Sequence, residues 1–213
     1  MTKPVREISG IIAVMPIANI NTDAIIPSVW LRTATADMGK GLFGGQRYDA
    51  AGNERPDFVL NRPPFRQAKI LLVGENFGCG SSREAAVWAL VQFGIGCVLA
   101  PSFADIFYEN AFRNGLIAGL IEPATYQALK RAIEAAQSDP CATVDLASAS
   151  ITGPDGMTYA FRIPASRAQA LMRGDDEIAM TLKHQAAIES HYAVMKAGSD
   201  WLFPAALRST QNP

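Results

Sequence analysis

Apolar residues in this chain gather in short continuous runs separated by glycine-rich loops and helix-like stretches. Ile11-Ile12-Ala13-Val14, Lys69 to Val73, Ile95 to Ala100 and Leu116 to Ile121 read as strands, and the run at Lys69 has the composition of a strand buried on both faces. A helix is predicted from about Arg83 to Phe93, with Ala86, Trp88, Ala89 and Leu90 on its packed face and Gly94 and Gly96 ending it. A second helix is predicted after Ser102, which has Asp105 at the capping-box position; Ile106, Phe107 and Ala111 are expected to be buried and Asn114-Gly115 to close it. Two strand-loop-helix units in succession predict parallel pairing with right-handed crossovers.

Beyond them, Thr125 to Gln137 is Ala-rich and helical, ended by Ser138-Asp139-Pro140. Thr143 to Thr152 and Met157 to Pro164, on either side of Gly153-Pro154-Asp155-Gly156, predict a hairpin. Helices over Ser166 to Met172 and Glu177 to Met195 follow, and residues 198–213 are expected to form a loosely held tail. Trp30 to Arg66 breaks the pattern: five glycines, scattered charge and Arg62-Pro63-Pro64 predict a long excursion, of the kind that often serves function. The expected architecture is one α/β domain over 1–213, a mixed sheet with flanking helices.

Composition narrows what such a domain does. The 213 residues are 49% hydrophobic and 18% charged, ordinary for a globular protein. Nineteen basic against twenty acidic residues leave a net charge of -1, so no global field draws the chain to nucleic acid or an anionic membrane. Cys79, Cys97 and Cys141 stand in no CxxC spacing, which argues against a disulfide framework or a self-contained zinc or iron–sulfur site and suits a reducing cytoplasm. The apolar stretch before Met15-Pro16 is too short for a signal peptide, and no window reaches 18 apolar residues.

Candidate chemistry concentrates in Gly74-Glu75-Asn76-Phe77-Gly78-Cys79-Gly80-Ser81-Ser82-Arg83-Glu84. Ser81-x-x-Glu84 fits a capping box, in which Ser81 does no more than accept from a backbone N–H. The same helix start also suits an anion, because its N–H groups carry partial positive charge and Arg83 can clasp a carboxylate bidentately. A P-loop would need a lysine before its Ser or Thr, and a dinucleotide fingerprint would need glycine or alanine at Arg83; both fail. His184 and His191, the only histidines, lie far along the chain and read as surface residues. Cys79 reads equally as an activated nucleophile and as a small packing residue. A serine base is the unusual option, since its alkoxide needs the loop N–H groups and Arg83 as donors.

Three motifs together, Asn21-Thr22-Asp23-Ala24-Ile25-Ile26-Pro27, Glu75 to Glu84 and Ala100-Pro101-Ser102-Phe103-Ala104-Asp105-Ile106-Phe107, resemble the small-subunit family of the isopropylmalate dehydratases, in the aconitase superfamily. The match in order and spacing runs from about Gly10 to Ile188. The resemblance implies a swivelling β/β/α domain that closes over a site shared with a large subunit carrying a [4Fe–4S] cluster, in a heterodimer or heterotetramer. It implies Ser81 as the base, Ser82 and Arg83 as contacts to the carboxylate of a small dicarboxylate, and Asp23 and Glu84 as supporting groups; Arg32 is expected to face the site. The implied reaction is dehydration of 2-isopropylmalate and rehydration at the neighbouring carbon, in leucine biosynthesis. It also implies that residues 30–66 form a substrate-side loop, mobile without the partner.

The chain departs from the family pattern after the serines. Arg-Glu-His-Ala-Pro-Trp is replaced by Arg83-Glu84-Ala85-Ala86-Val87-Trp88, which removes a histidine near the loop and is expected to relax the first helical turn at Val87. The segment after Pro27 differs too. These departures motivate a paralogous hydro-lyase acting on another substituted malate or maleate, such as dimethylmalate or citraconate. A non-catalytic binding module, or an enzyme working alone through Cys79, is the more distant alternative.

Overall fold

A computed structural model of the chain describes residues 3–32, 37–136, 139–199 and 202. Four parallel strands, β1 (Glu7–Met15), β2 (Ile70–Val73), β3 (Cys97–Ala100) and β4 (Ile117–Leu120), form where the apolar runs predict them. Side chains alternate between two cores, as the two-residue period of a strand requires. Ala13, Leu71, Val98 and Ala118 enter one core; Ile12, Ile70, Leu72, Leu99 and Ile117 enter the other. All four residues of β2 are buried, and each leucine or isoleucine so removed from water stabilises the fold by about 1.5–3 kcal/mol. β5 (Cys141–Asp145), β6 (Ser150–Thr152) and β7 (Thr158–Ala160) extend the sheet antiparallel from the other edge of β1. The order is β4-β3-β2-β1-β5-β6-β7, a mixed sheet as expected.

Nine helices are defined among the described residues: α1 (Thr22–Ile25), α2 (Met38–Gly41), α3 (Gly44–Arg47), α4 (Ala85–Phe93), α5 (Asp105–Arg113), α6 (Pro123–Ala135), α7 (Ala165–Arg173), α8 (Glu177–Leu182) and α9 (Gln185–Gly198). Residues of α4 and α5 contribute to the first core, those of α6 and α7 to the second. Gly94, at φ 109°, ends α4, and its N–H donates to the Leu90 and Val91 carbonyls. Two compact units result, residues 1–174 and 175–213; the second contains α8, capped by Asp176, and α9. No helix among the described residues is long and apolar enough to cross a membrane.

The structure corrects several sequence expectations. The predicted strand Thr143 to Thr152 is two strands, β5 and β6, joined by a turn at 146–149, so a three-strand meander replaces the hairpin. The helix predicted from Glu177 to Met195 breaks before Gln185, with His184 at the N-cap of α9. Ile106 is 54% exposed rather than buried. The helix predicted from Thr125 to Gln137 is α6, which ends at Ala135; Gln137 and Ser138, and the predicted tail apart from Gly198, Ser199 and Leu202, lie outside the described residues.

The excursion is also packed, not loose. Leu42, Phe43 and Leu60 are fully buried, and short 3₁₀ turns at Ser28–Leu31, Val59–Asn61 and Phe65–Gln67 accompany α2 and α3. The guanidinium of Arg47 is buried; it donates to Asn61 Oδ1 at 3.1 Å and to the Gly39 and Leu42 carbonyls at 3.3 Å. Packing and cross-ties over 37–66 run against the expectation of a mobile loop there, and residues 33–36 lie outside the described residues.

Candidate active site

Two asparagines in left-handed conformation, Asn19 (φ 58°) and Asn76 (φ 54°), turn the chain after β1 and after β2. Asn76 Nδ2 donates to Asn19 Oδ1 at 2.8 Å, so the two turns are fastened to each other. From there the segments run side by side: the Gly78 N–H donates to the Ile20 carbonyl at 2.8 Å and the Thr22 N–H to the Cys79 carbonyl at 2.9 Å. Gly78 cannot be replaced without strain, because its φ is +78° and a Cβ there would stand 2.2 Å from Phe107 Cγ. Phe77 packs edge-on against Phe107 at 5.1 Å, giving the loop an aromatic floor.

On that floor Ser81 and Ser82 are exposed, and Arg83 is half-buried. The capping-box expectation is corrected: α4 starts at Ala85, Glu84 takes the N-cap position without a side-chain bond, and Ser81 lies outside the helix. Ser81 Oγ therefore has no partner among the described residues. The N–H groups of Ser82, Arg83, Glu84 and Ala85 also donate to nothing among them, which leaves the positive end of α4 open to an anion. Ser102 is not a cap either: its Oγ accepts from the Asn76 N–H at 2.8 Å and ties the loop to the turn after β3.

Arg83 Nη1 lies 2.5 Å from Asp23 Oδ1, an ion pair whose angle is not that of a hydrogen bond. The guanidinium is thus held through its buried Nη1, while the Arg83 side chain as a whole stays part-exposed at the cleft. Glu84 faces away from the serines; its Oε1 accepts from Asn114 Nδ2 at 2.8 Å, and Asn114 Oδ1 accepts from Trp88 Nε1 at 2.9 Å. Arg32 stands exposed at the end of a 3₁₀ turn, with no partner among the described residues and no part in the cleft's lining; the adjoining 33–36 lie outside the described residues. The structure therefore pairs Asp23 with Arg83 beside the two serines and puts Ser82 and Arg83 on the lining of the adjoining cleft, whereas Ser81, Glu84 and Arg32 are not among its lining residues.

A cleft of about 220 Å³ opens beside the loop, lined by Thr22, Gly80, Ser82 and Arg83 together with Asp105 to Phe107 at the start of α5. Sequence reasoning missed Thr22, whose buried hydroxyl donates to the Ser81 carbonyl at 2.6 Å. Its place beside Asp23 in the first motif was the available signal. At the two departures, Ala85 and Val87 are buried, and the Val87 N–H donates to the Glu84 carbonyl at 2.9 Å. A proline lacks that N–H, so valine tightens the first turn of α4 rather than relaxing it.

The loop's donors are hydroxyls, N–H groups and a guanidinium, a set that fits a carboxylate and not an iron–sulfur cluster, whose irons take thiolates. Among the described residues no three His, Cys, Asp or Glu side chains gather as metal ligands. Cys79 sits part-buried in the loop, Cys97 is sealed in β3, where burial pushes its thiol pKa up, and Cys141 is exposed at the start of β5.

A model of the aconitase C-terminal domain matches residues 2–122. A 3-isopropylmalate dehydratase small subunit from Dinoroseobacter shibae is 46% identical over 198 residues, covering 92% of this chain and 98% of the relative. One from Rhodopseudomonas palustris is 46% identical over 197 residues, covering 91% and 96%. Among solved structures, a 3-isopropylmalate dehydratase from Methanocaldococcus jannaschii superposes with a TM-score of 0.61 at 28% identity, over 87% of this chain and 99% of that one.

Proposed function

Since the chain belongs to the small-subunit family of 3-isopropylmalate dehydratase, built on the aconitase C-terminal domain, we propose that it is the small subunit of a hydro-lyase interconverting 2-isopropylmalate and 3-isopropylmalate through isopropylmaleate, in leucine biosynthesis. The word small in the relatives' name implies a large partner, and we assign the [4Fe–4S] cluster to that subunit. Bound there, the cluster would supply a Lewis acid for the departing hydroxyl.

On this chain, Ser81 Oγ takes the proton from the carbon next to a substrate carboxylate. A serine hydroxyl is a weak base unless its anion is stabilised, and the open N–H groups at the start of α4 and the nearby guanidinium are suited to do so. Arg83 clasps the carboxylate, and Asp23 holds Arg83 in register. Ser82 lines the cleft beside Arg83 and adds a hydroxyl donor. The observation that carries the reading is the exposed, unpartnered Ser81 hydroxyl next to those donors.

Ser81→Ala in the complex reconstituted with the large subunit is the test. Loss of general-base action predicts a fall in kcat of about 10²–10⁴-fold. Parental turnover would remove Ser81 as the base. Offering the parental complex citraconate beside isopropylmaleate checks the substrate, because hydration of citraconate alone would move the chain to a paralogous hydro-lyase.

A further inference from the structure

The two segments after β1 and β2 run parallel and exchange backbone bonds as far as Thr22 and Cys79. At that point α1 begins, and the Thr22 carbonyl is taken by the Ile26 N–H at 2.9 Å. The ladder could end there. Instead Thr22 Oγ1 carries it one step further, donating to the Ser81 carbonyl at 2.6 Å across 59 residues of sequence. Thr22 is 2% exposed, so water does not compete for that bond.

We propose that Thr22 is a positioning residue for Ser81, an inference that rests on the reading of Ser81 as the base. The peptide joining Ser81 to Ser82 is planar and trans, so a bond to its carbonyl also fixes the Ser82 N–H on the opposite side of the same plane. One buried hydroxyl thereby sets the direction from which the Ser81 side chain departs and the orientation of the first open N–H that follows it. The neighbouring residue, Asp23, holds Arg83. A single turn of helix grips the base and the carboxylate clasp from the same side, and three glycines at 74, 78 and 80 leave the loop little rigidity of its own.

Thr22→Val keeps the shape and removes the donor; Thr22→Ser keeps the donor and removes a methyl. In the complex with the large subunit, Thr22→Val is expected to lose about 10–100-fold in kcat, the scale of an ångström of misplacement, with KM little changed. Thr22→Ser is expected to restore kcat to near the parental value. A packing role predicts the reverse order, with valine tolerated and serine impaired, and that result overturns the proposal. So does a Thr22→Val complex that assembles poorly but turns over normally per assembled site. Should Thr22→Val fail to assemble at all, Thr22→Cys decides: reduced kcat at unchanged KM upholds the role, and parental kcat overturns it. Ser81→Ala run alongside separates the two readings. If it is inactive while Thr22→Val keeps full kcat, only the positioning role falls; if Ser81→Ala is fully active, both fall.

Discussion

Arg83 carries five N–H donors in a planar fork, and Asp23 engages one edge of it without satisfying its geometry. A lysine at this position could keep the charge and still reach Asp23, but as a point charge it could not meet both oxygens of a carboxylate. Arg83→Lys is therefore expected to raise KM for isopropylmalate by about 10–100-fold, the worth of one charge-assisted hydrogen bond, with a smaller change in kcat. Steady-state kinetics on the assembled complex checks this, and an unchanged KM would take Arg83 out of substrate binding. The glycine-rich loop drew attention to Ser81, Ser82 and Arg83 and the family resemblance added Asp23, but the pairing of Asp23 with Arg83 joins two distant segments and was not legible in the sequence. Glu84 and Ser102 were misread because capping-box spacing is a local rule. Their actual partners, Asn114 and Asn76, arrive from 30 and 26 residues away and outcompete it.

At the scale of elements, continuous apolar runs gave away β1 to β4, since a strand covered on both faces leaves little room for polar residues. The β5–β6 turn was hidden because Leu146-Ala147-Ser148-Ala149 contains neither glycine nor proline. Asp145 makes the turn instead, its Oδ1 accepting from the Ala147 N–H at 2.7 Å, while Ala149 takes φ 50°. The next turn, before β7, is fixed differently: Tyr159 Oη donates to Asp155 Oδ2 at 2.6 Å. That bond holds the Asp155 carboxyl below its ordinary pKa, and burial together with the same bond pushes Tyr159 up to about 12. The depressed carboxyl stabilises the fold above the unfolded value of about 4 and loses that effect as pH falls through the folded value. The raised phenol stabilises below its unfolded value of about 10 and loses that effect as pH rises through the folded one. Tyr159→Phe should lower the melting temperature by a constant margin between about pH 5 and pH 9, and the margin should close in acid. A margin that persists once Asp155 is protonated would assign the effect to the hydroxyl's hydrogen bond to a neutral carboxyl rather than to the charge.

Across residues 1–174, the part least legible in the sequence is also the part that holds α4 at the end far from the Ser81 loop. Helices of four residues and single 3₁₀ turns are too short to show a period, so α2, α3 and the turns around them read as loop. What organises them is a set of contacts between separate pieces of chain. A Cβ on Gly39 would come within 2.8 Å of the Gln92 and Phe93 backbone, so α2 lies tight against the last turn of α4, and the Met38 N–H donates to Gln92 Oε1 at 2.9 Å. Trp30 occupies the space that side chains on Gly41 and Gly44 would need. Arg47 joins these pieces: its guanidinium spans the terminal carbonyls of α2 and Asn61, and stacks over Phe93 at 5.0 Å. Arg47→Met keeps much of the apolar stem but strands the Leu42 carbonyl and Asn61 Oδ1 without donors, while the Gly39 carbonyl keeps the Leu42 N–H. Each stranded buried acceptor costs about 1–3 kcal/mol, so the variant should lose about 2 kcal/mol or more in urea unfolding. Amides over 38–67 should also exchange faster, because the excursion would then open before the sheet does. A loss below about 1 kcal/mol, with exchange over 38–67 unchanged, would mean that the apolar contacts of Leu42, Phe43 and Leu60 hold the excursion without the arginine.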